Sequence, residues 1–208
     1  MIEVKNILDV EKHLDEVDGV IFDLDDTLYS EKEYVRSGYH IIAELFPQIQ
    51  DMEDKLWNVF ENDRKAIDEV FASEGLLKYK AKALQAYRYQ TPDIQLYSGV
   101  TELLNQLKKQ GKRLGLITDG RPEGQNAKID ALNLRTMVDE IIITDELGGI
   151  EFRKPNGTAF RLMQQRLNIP FERIVYIGDN PNKDFIAPRN LGMRCIWFRN
   201  QDGLYSKL

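Results

Sequence analysis

Two aspartates stand directly after a short apolar run near the start of the chain. The run at residues 20–24 reads VIFDL, which is typical of a strand buried on both faces of a parallel sheet. Asp23 and Asp25 come at its carboxyl end, and on an extended backbone they would point to the same side about 7 Å apart. Carboxylates this close to a core repel each other unless a metal ion, a lysine or a shared proton compensates them. The alternative is a solvated turn.

Residues that can do chemistry also follow later apolar runs. In doubly wound sheets the carboxyl ends of the strands are where ligands bind. The residues at these positions are Thr118, Asp119, Gly120, Lys154, Asp179 and Asp184. Each has an ordinary structural interpretation as a hydroxyl bonded to backbone, a solvated lysine or an acid that caps a helix. Their occurrence together, at successive strand ends, favours one shared site.

This set of residues suits the transfer of a phosphoryl group. Asp23 could attack phosphorus and form an aspartyl phosphate that water later cleaves. Asp25 could protonate the leaving oxygen in the first step and deprotonate the attacking water in the second. The carboxylates of Asp23 and Asp179, the backbone carbonyl of Asp25, water molecules and a phosphate oxygen would form the octahedral oxygen shell that Mg²⁺ prefers.

The remaining residues would stabilise the phosphoryl group. We expect the Thr118 hydroxyl and the backbone N–H groups of Asp119 and Gly120 to bind its oxygens. Lys154 would neutralise the charge that develops on those oxygens. Asp184 would orient Lys154, or a metal-bound water, from behind.

The same residues match the pattern of a known family, and the sequence resembles the haloacid dehalogenase superfamily of phosphohydrolases over nearly the whole chain. The four motifs of that superfamily are matched by Asp23, Asp25 and Thr27, by Thr118, by Lys154 with Pro155, and by Gly178, Asp179 and Asp184. The resemblance implies a Rossmann-like core with the first strand at its centre, Mg²⁺ as the cofactor, and Thr27 behind the residues that touch the phosphoryl group. It also implies a helical cap, between the first two motifs, that closes over a small phosphorylated substrate.

The resemblance leaves more than one activity open. Dehalogenases of this superfamily lack the second acid of the first motif, and because Asp25 is present, hydrolysis of a phosphate ester is the better interpretation. Phosphomutases keep both acids and stay possible. Asp119 stands where the family often has asparagine, which adds a negative charge beside the phosphoryl site. We expect the neighbouring Arg121 to offset that charge.

Two interpretations outside the enzyme class use the same residue types. A receiver domain of phosphorelay signalling also has an acidic metal pocket, a phosphorylated aspartate, a threonine and a lysine, but there phosphorylation is a switch. The helical insertion and the acid–base residue Asp25 speak against it. The other interpretation is a binding module that keeps the fold without catalysis. Continuous release of phosphate with magnesium distinguishes a hydrolase from both.

Hydrophobic periodicity predicts the elements that position these residues. Between residues 29 and 97 the patterns are helical, at 30–46, 52–62, 64–73 and 76–90, whereas helices and strands alternate afterwards. We therefore predict an α/β fold, with a Rossmann-like parallel sheet of about five strands, helices on both faces, and a small inserted all-α cap. The core comprises residues 1–28 and 98–208, and the cap comprises residues 29–97. The strands are expected at 20–24, 113–118, 140–144, 173–177 and 194–198, with a lead-in helix at 6–17 and a surface tail at 200–208.

Composition and charge narrow the remaining choices. The 208 residues suffice for one core with a modest insertion, and the net charge of -6 argues against nucleic acid or an anionic membrane surface as a partner. Without a signal segment or membrane span, we expect a cytoplasmic protein that is a monomer or weak homodimer. The single cysteine, Cys195, is expected in a buried strand. The substrate could be a sugar phosphate or a nucleoside monophosphate, with Tyr34, Arg36 and Arg88 as candidate specificity residues.

Overall fold

The computed structural model describes residues 1–63 and 65–204, and these form a sheet of six parallel strands. The strands are β1 Ile2–Val4, β2 Gly19–Phe22, β3 Arg113–Thr118, β4 Glu140–Ile143, β5 Ile174–Gly178 and β6 Arg194–Phe198. Their order is β1-β6-β5-β2-β3-β4, so the strand before the two aspartates lies between β5 and β3. Because the strands are parallel, the carboxyl ends of β2, β3 and β5 meet at one edge of the sheet. The predicted α/β fold is confirmed, and the strand predicted at its centre, the one that precedes the two aspartates, is β2.

The sheet has one strand more than the five located in the sequence, because the sequence analysis missed β1. This edge strand is three residues long and pairs with β6. The backbone N–H of Arg199, just after β6, donates to the Val4 carbonyl at 2.9 Å. A run this short, with Glu3 in its middle, does not stand out from a loop in the sequence. The lead-in helix expected at 6–17 is instead a 3-10 helix, Ile7–His13.

Among the described residues, four α-helices lie in the insertion, residues 29–97, which follows β2. They are α1 Glu31–Leu45, α2 Met52–Asp63, α3 Ala66–Ser73 and α4 Lys80–Arg88. Their apolar side chains form a cluster of their own, in which Ile42, Leu56 and Phe71 are fully buried. The fourth predicted helix is shorter than expected, because a 3-10 turn, Leu77–Tyr79, precedes it. The first residue predicted for the third helix, Arg64, lies outside the described residues.

Further helices cover both faces of the sheet. They are α5 Val100–Lys109, α6 Pro122–Ala131, α7 Leu134–Met137, α8 Thr158–Leu167 and α9 Ile186–Asn190. Side chains alternate along β2, so Val20 and Phe22 join one apolar cluster while Ile21 joins the other, which contains Phe160 of α8. β2 is therefore buried on both faces, as its apolar sequence predicts. Cys195 is buried in β6, as expected.

The residues that follow β6 are not the surface tail that the sequence predicts. Asn200 Nδ2 donates to the Asp26 backbone carbonyl at 2.9 Å and to the Tyr97 hydroxyl at 2.8 Å. The Leu204 backbone N–H donates to Asp26 Oδ2 at 2.7 Å. Because Asp26 follows β2 and Tyr97 follows the four inserted helices, residues 200–204 fasten both chain crossings between the sheet and the insertion. The rest of the predicted tail, residues 205–208, lies outside the described residues.

Across residues 1–63 and 65–204, no helix has the length and the apolar character needed to cross a membrane.

Asn200→Ala should lower the free energy of unfolding by about 1–2 kcal/mol, because it removes the two hydrogen bonds that Asn200 donates to Asp26 and Tyr97. Urea unfolding followed by circular dichroism measures the change. Gln201→Ala, at the exposed neighbouring position, is the matched control and should stay within about 0.5 kcal/mol of the wild type. Equal effects of the two substitutions would contradict the fastening role of Asn200.

Candidate active site

A buried lysine joins the ends of the strands. Lys154 Nζ lies 2.5 Å from Asp23 Oδ1 and 2.8 Å from Asp184 Oδ1, and it donates to the Tyr176 hydroxyl at 2.9 Å. Asp23 follows β2, Tyr176 is in β5, and Asp184 lies in the loop after β5. Burial alone would lower the pKa of Lys154, but Asp184 and Asp23 outweigh it and raise that pKa well above its ordinary value. Lys154 therefore stays charged in the core.

Three buried carboxylates lie together beside this lysine. Oxygen atoms of Asp23, Asp179 and Asp184 are all within 4.8 Å of one another. Burial raises the pKa of Asp23 to about 7, with Lys154 opposing the rise and Asp184 adding to it. Burial, Asp23 and Asp184 raise the pKa of Asp179 to about 9. The predicted convergence of Asp23, Lys154 and Asp179 is thus present. The Asp25 carboxylate is not in this group, and the sequence analysis predicts only its backbone carbonyl as a metal ligand.

The pocket above these strand ends carries more negative than positive groups. It has a volume of about 330 Å³, and its lining residues are Asp23, Asp25, Glu31, Asp119, Arg153, Lys154, Asp179 and Lys183. Arg153 is already held by both carboxylate oxygens of Asp145, at 2.6 Å each. A divalent cation that prefers oxygen ligands fits this donor set and would relieve the excess of negative charge.

Asp25 has partners of its own. Its carboxylate accepts hydrogen bonds from Lys128 Nζ at 2.7 Å, from Gln125 Nε2 at 2.9 Å and from the Tyr29 hydroxyl. Burial alone would raise the pKa of Asp25, but Lys128 and these hydrogen bonds outweigh it and lower that pKa. β2 ends at Phe22, so Asp25 lies in the following loop. This loop, and not the alternation of an extended strand, directs its carboxylate.

The sequence analysis missed Gln125 and Lys128. They are three residues apart on α6, so both face the strand ends from one side of that helix. Both are buried, at 3% and 5% exposure, although their side chains are polar. The Lys128 ammonium also lies 4.2 Å from the centre of the Tyr34 ring. Their one sequence signal is the pairing of two long polar side chains at helical spacing soon after Thr118.

Thr118 and Asp119 serve the site from the end of β3. The fully buried Thr118 accepts a hydrogen bond from Gln125 Nε2 at 2.5 Å. Asp119 Oδ1 accepts hydrogen bonds from the Thr144 hydroxyl at 2.9 Å and from the Lys154 backbone N–H at 3.0 Å. Asp119 therefore positions the loop that carries the lysine, a role the sequence did not indicate.

The cation that faces Asp119 differs from the one expected. Lys183 Nζ lies 3.4 Å from Asp119 Oδ2, whereas Arg121 is exposed. Lys183 therefore offsets the charge that distinguishes Asp119 from an asparagine. The expectation for Arg121 is wrong because the residue next in sequence points to solvent while the loop after β5 brings a lysine across.

Glycine is required where Asp184 approaches β5. A Cβ atom at Gly178 would stand 2.5 Å from Asp184 Oδ2, the oxygen that accepts the Asn180 backbone N–H at 2.9 Å. From the other side of the loop, Trp197 Nε1 donates to the Asp179 carbonyl at 2.9 Å. These contacts fix the loop that presents Asp179 and Asp184, and the part of Trp197 was missed from sequence.

Two sequence predictions stay predictions. Thr27 is fully buried, and its hydroxyl has no hydrogen-bond partner in the described part of the chain. Its supporting role behind the phosphoryl site stays a prediction. Gly120 has a φ of 141°, in the region that favours glycine. Phosphoryl binding by the backbone N–H groups of Asp119 and Gly120 likewise stays a prediction.

The candidate specificity residues differ in their positions. Tyr34 and Arg88 line a second, larger cavity that adjoins the pocket above the strand ends. Arg36 is not among its lining residues, and instead its Nε pairs with Glu53 at 3.1 Å, on the surface of the insertion. Glu31 lines both cavities, and burial together with Asp25 raises the pKa of Glu31 to about 8.

This chain is similar in sequence to haloacid dehalogenase-like hydrolases and similar in fold to a solved structure of that kind. Residues 20–198 match the family described as haloacid dehalogenase-like hydrolase. The chain is 28% identical over 200 residues to the glyceraldehyde 3-phosphate phosphatase of Methanocaldococcus jannaschii, covering 86% of this chain and 84% of that one. It is 22% identical over 213 residues to the (S)-2-haloacid dehalogenase of Pseudomonas putida, covering 92% and 88%. The magnesium-bound HAD-hydrolase YfnB of Bacillus subtilis shares the fold, with a TM-score of 0.63 at 22% identity and coverage of 88% and 87%.

Mg²⁺ should stabilise the protein more near pH 8 than near pH 6. The pKa values of Asp23 and Asp179, about 7 and about 9, lie above that of an unfolded aspartate. Folding therefore takes up protons, and without a cation stability falls as the pH rises through this range. Since the cation competes with these protons, its Kd should be larger near pH 6 than near pH 8. At one fixed Mg²⁺ concentration, about a hundredfold above the Kd near pH 8, thermal denaturation should show a Tm rise of about 5–10 °C near pH 8 and less than half of that near pH 6.

The control for this measurement is Asp179→Asn, which removes one carboxylate of the group and should abolish most of the rise in Tm. An equal rise at both pH values would contradict the competition between Mg²⁺ and protons. The absence of any rise would contradict the cation site.

Proposed function

Since the chain belongs to the haloacid dehalogenase-like hydrolases, we propose that it is a magnesium-dependent phosphatase that hydrolyses a small phosphorylated metabolite through an aspartyl phosphate. Family membership confirms the resemblance indicated by the four motifs. A phosphoric monoester hydrolase is further supported by phosphatases among the relatives. The observation that carries the proposal is the contact of Lys154 with Asp23 and Asp184, which gathers the ends of β2 and β5 and the loop after β4 around one small pocket.

The proposed reaction begins with attack of the Asp23 carboxylate on phosphorus. Lys154, 2.5 Å from Asp23 Oδ1, favours the ionised form of that carboxylate and faces the oxygens that gain charge. Asp25 gives a proton to the leaving oxygen and later takes one from the water that cleaves the aspartyl phosphate. The lowered pKa of Asp25 suits the second role, and the first requires Asp25 to carry a proton when the leaving oxygen departs. Thr118 and the backbone of Asp119 and Gly120 hold the other phosphoryl oxygens.

The metal proposed for this site is Mg²⁺. The carboxylates of Asp23 and Asp179 and the backbone carbonyl of Asp25 would hold it, with Asp184 close behind. When bound, Mg²⁺ supplies positive charge that shields the anionic nucleophile from an anionic substrate. The raised pKa values of Asp23 and Asp179 support this assignment, because buried carboxylates that resist ionisation are relieved by a cation.

The inserted helices would act as a cap over the substrate. In this proposal residues 1–28 and 98–208 form the catalytic core and residues 29–97 form the cap, which excludes water from the phosphoryl site. The larger cavity lies between the two parts, with lining residues from α1, α3 and α4. Both crossings of the chain run side by side, with Tyr29 bridged to Leu96, so the cap is connected through one narrow region.

The alternatives differ in what happens to phosphate. A phosphomutase would return the phosphoryl group to the substrate, and a receiver-like switch would keep it on Asp23. A binding module would not transfer it. Hydrolysis is favoured over the switch and the binding module because Asp25 lies beside the phosphoryl pocket, where it can activate water. Phosphomutases keep the same acid, and hydrolysis is favoured over them because relatives of this chain are phosphatases. It stays a prediction that neither nucleic acid nor a membrane is a partner of this protein. The cytoplasmic location and the monomeric or weakly homodimeric state also stay predictions.

The test is a steady-state assay of phosphate release with Mg²⁺ on a panel of phosphorylated metabolites, ranked by kcat/KM. Asp23→Asn should abolish release, and Asp25→Asn should lower kcat by about 10²–10⁴-fold with metal binding retained. Asp130→Asn, a change of the same kind at an exposed aspartate paired with Arg135, is the control and should keep wild-type activity.

Each alternative has its own outcome in this assay. When the phosphoryl group of the substrate is labelled, label that accumulates on aspartate with negligible turnover identifies a switch. Transfer of label to a second position of the substrate identifies a mutase. Wild-type release by Asp23→Asn, with contamination excluded, contradicts the role of Asp23, and no reaction with any substrate identifies a binding module.

The role of Asp119 in positioning Lys154 gives a separate prediction. Asp119→Ala removes the acceptor of the Thr144 hydroxyl and the Lys154 N–H, so kcat/KM should fall by about tenfold or more. In Asp119→Asn the amide oxygen can accept both hydrogen bonds, and kcat/KM should stay within about threefold of the wild type. Equal losses in the two variants would show that the charge of Asp119, and not its acceptor geometry, is what matters.

A further inference from the structure

A large chamber opens from the phosphoryl pocket toward the inserted helices. Its volume is about 820 Å³, and it shares Asp25, Glu31 and Asp119 with the smaller pocket above the strand ends. Sites for small organic ligands have volumes of about 300–1,000 Å³, so this chamber is at the upper end of that range. Because the phosphoryl group has a pocket of its own, the chamber is available to the rest of the substrate.

Five aromatic residues line the chamber on the side of the insertion, and one of them, Tyr89, is 65% exposed. The other four, the aromatic wall, are Tyr34, Tyr39, Phe60 and Tyr87. Ring centroids are 5.7 Å apart for Tyr34 and Tyr87, 6.0 Å for Tyr39 and Tyr87, and 6.1 Å for Tyr39 and Phe60, so the rings form one connected surface. Gly38 permits this arrangement, because a Cβ atom there would stand 2.3 Å from the Tyr87 ring.

The lining changes character between the aromatic wall and the phosphoryl pocket. On that side it is polar and includes Glu31, Gln125 and Lys128, the last two of which donate hydrogen bonds to Asp25. A ligand that fills the chamber from the phosphoryl pocket outward therefore meets hydrogen-bonding groups first and aromatic rings afterwards. A hydroxylated spacer followed by a planar ring complements this order.

We propose that the chamber binds the leaving group of a nucleoside 5′-monophosphate, with the ribose beside Glu31 and Lys128 and the base against the aromatic wall. This rests on the proposed function and narrows its substrate class. Aromatic side chains stack on any base, because every base has a π-face. In the reaction the Asp23 carboxylate forms a bond to phosphorus, the bond from phosphorus to the 5′ oxygen breaks, and the nucleoside leaves with a proton from Asp25. Water then cleaves the aspartyl phosphate, which releases phosphate and returns a proton to Asp25. The three-carbon leaving group of glyceraldehyde 3-phosphate has no ring that could stack on the wall.

The test compares phosphorylated riboses with and without a base. We expect the better of adenosine and uridine 5′-monophosphates to exceed ribose 5-phosphate in kcat/KM by about tenfold or more, which is 1.4 kcal/mol. Tyr87→Leu should reduce this ratio by about tenfold, and Tyr87→Phe, which keeps the ring, should restore it. Tyr79→Leu, at a tyrosine of the insertion that is 41% exposed and outside the chamber, is the matched control and should keep the wild-type ratio.

A second variant tests the chamber from the sheet side, in case Tyr87→Leu fails to fold. Gly124 of α6 lines the chamber, and a Cβ atom there would meet the Tyr34 hydroxyl at 3.2 Å. Gly124→Leu places a side chain in the chamber against Tyr34 and leaves the apolar cluster of the inserted helices, which contains Ile42, Leu56 and Phe71, unchanged. It should lower kcat/KM for the nucleotide by about tenfold more than for glyceraldehyde 3-phosphate.

The outcomes separate this inference from the proposed function. Ribose 5-phosphate or glyceraldehyde 3-phosphate hydrolysed as efficiently as the nucleotides would overturn the inference and leave the phosphatase standing. A nucleotide preference that survives both Tyr87→Leu and Gly124→Leu would overturn the assignment to the aromatic wall. Failure to release phosphate from any of these substrates, or from a generic aryl phosphate, would instead refute the proposed function.

Discussion

The buried ion pairs of Lys154 with Asp23 and Asp184 are the constraint on which the arrangement of the strand ends depends. A lysine without exposed side-chain surface stays charged only when carboxylates surround it, and breaking such a pair leaves an uncompensated charge that costs about 3–5 kcal/mol. Other features serve this contact. Asp119 holds the backbone of Lys154, and Gly178 leaves room for Asp184. Segments far apart in the chain therefore need one another in order to fold.

The same contact leaves the site short of positive charge. Lys154 faces a group of three buried carboxylates, and burial, together with the repulsion among these carboxylates, raises the pKa values of Asp23 and Asp179. Such an imbalance destabilises the folded protein at neutral pH and above, yet it is what attracts a divalent cation to the place where a phosphoryl group would bind. The excess of negative charge therefore lowers the stability of the cation-free protein and at the same time favours binding of the cation. Such a trade-off between stability and function is common at functional sites.

How far the sequence predicts this molecule depends on whether a feature is local. Apolar runs followed by acids identified the strands, and the convergence of Asp23, Lys154 and Asp179 follows from the rule that ligands bind at the carboxyl ends of parallel strands. β1 is too short to have a pattern of its own and exists through its pairing with β6. Lys128 was missed because its partner, Asp25, is far away in the chain and their contact depends on how α6 packs. Asn200 was missed because its partners, Asp26 and Tyr97, are also far away in the chain.

The central claim is that protons occupy the buried carboxylates until a cation replaces them. The most direct measurement is calorimetric titration of the protein with Mg²⁺ near pH 7.5, in several buffers of different ionisation enthalpy, which counts the protons released on binding. With pKa values of about 7 for Asp23 and about 9 for Asp179, the account predicts release of about one proton per cation bound. Binding of Mg²⁺ with no dependence on the buffer would show that these carboxylates are already ionised, and would contradict the account.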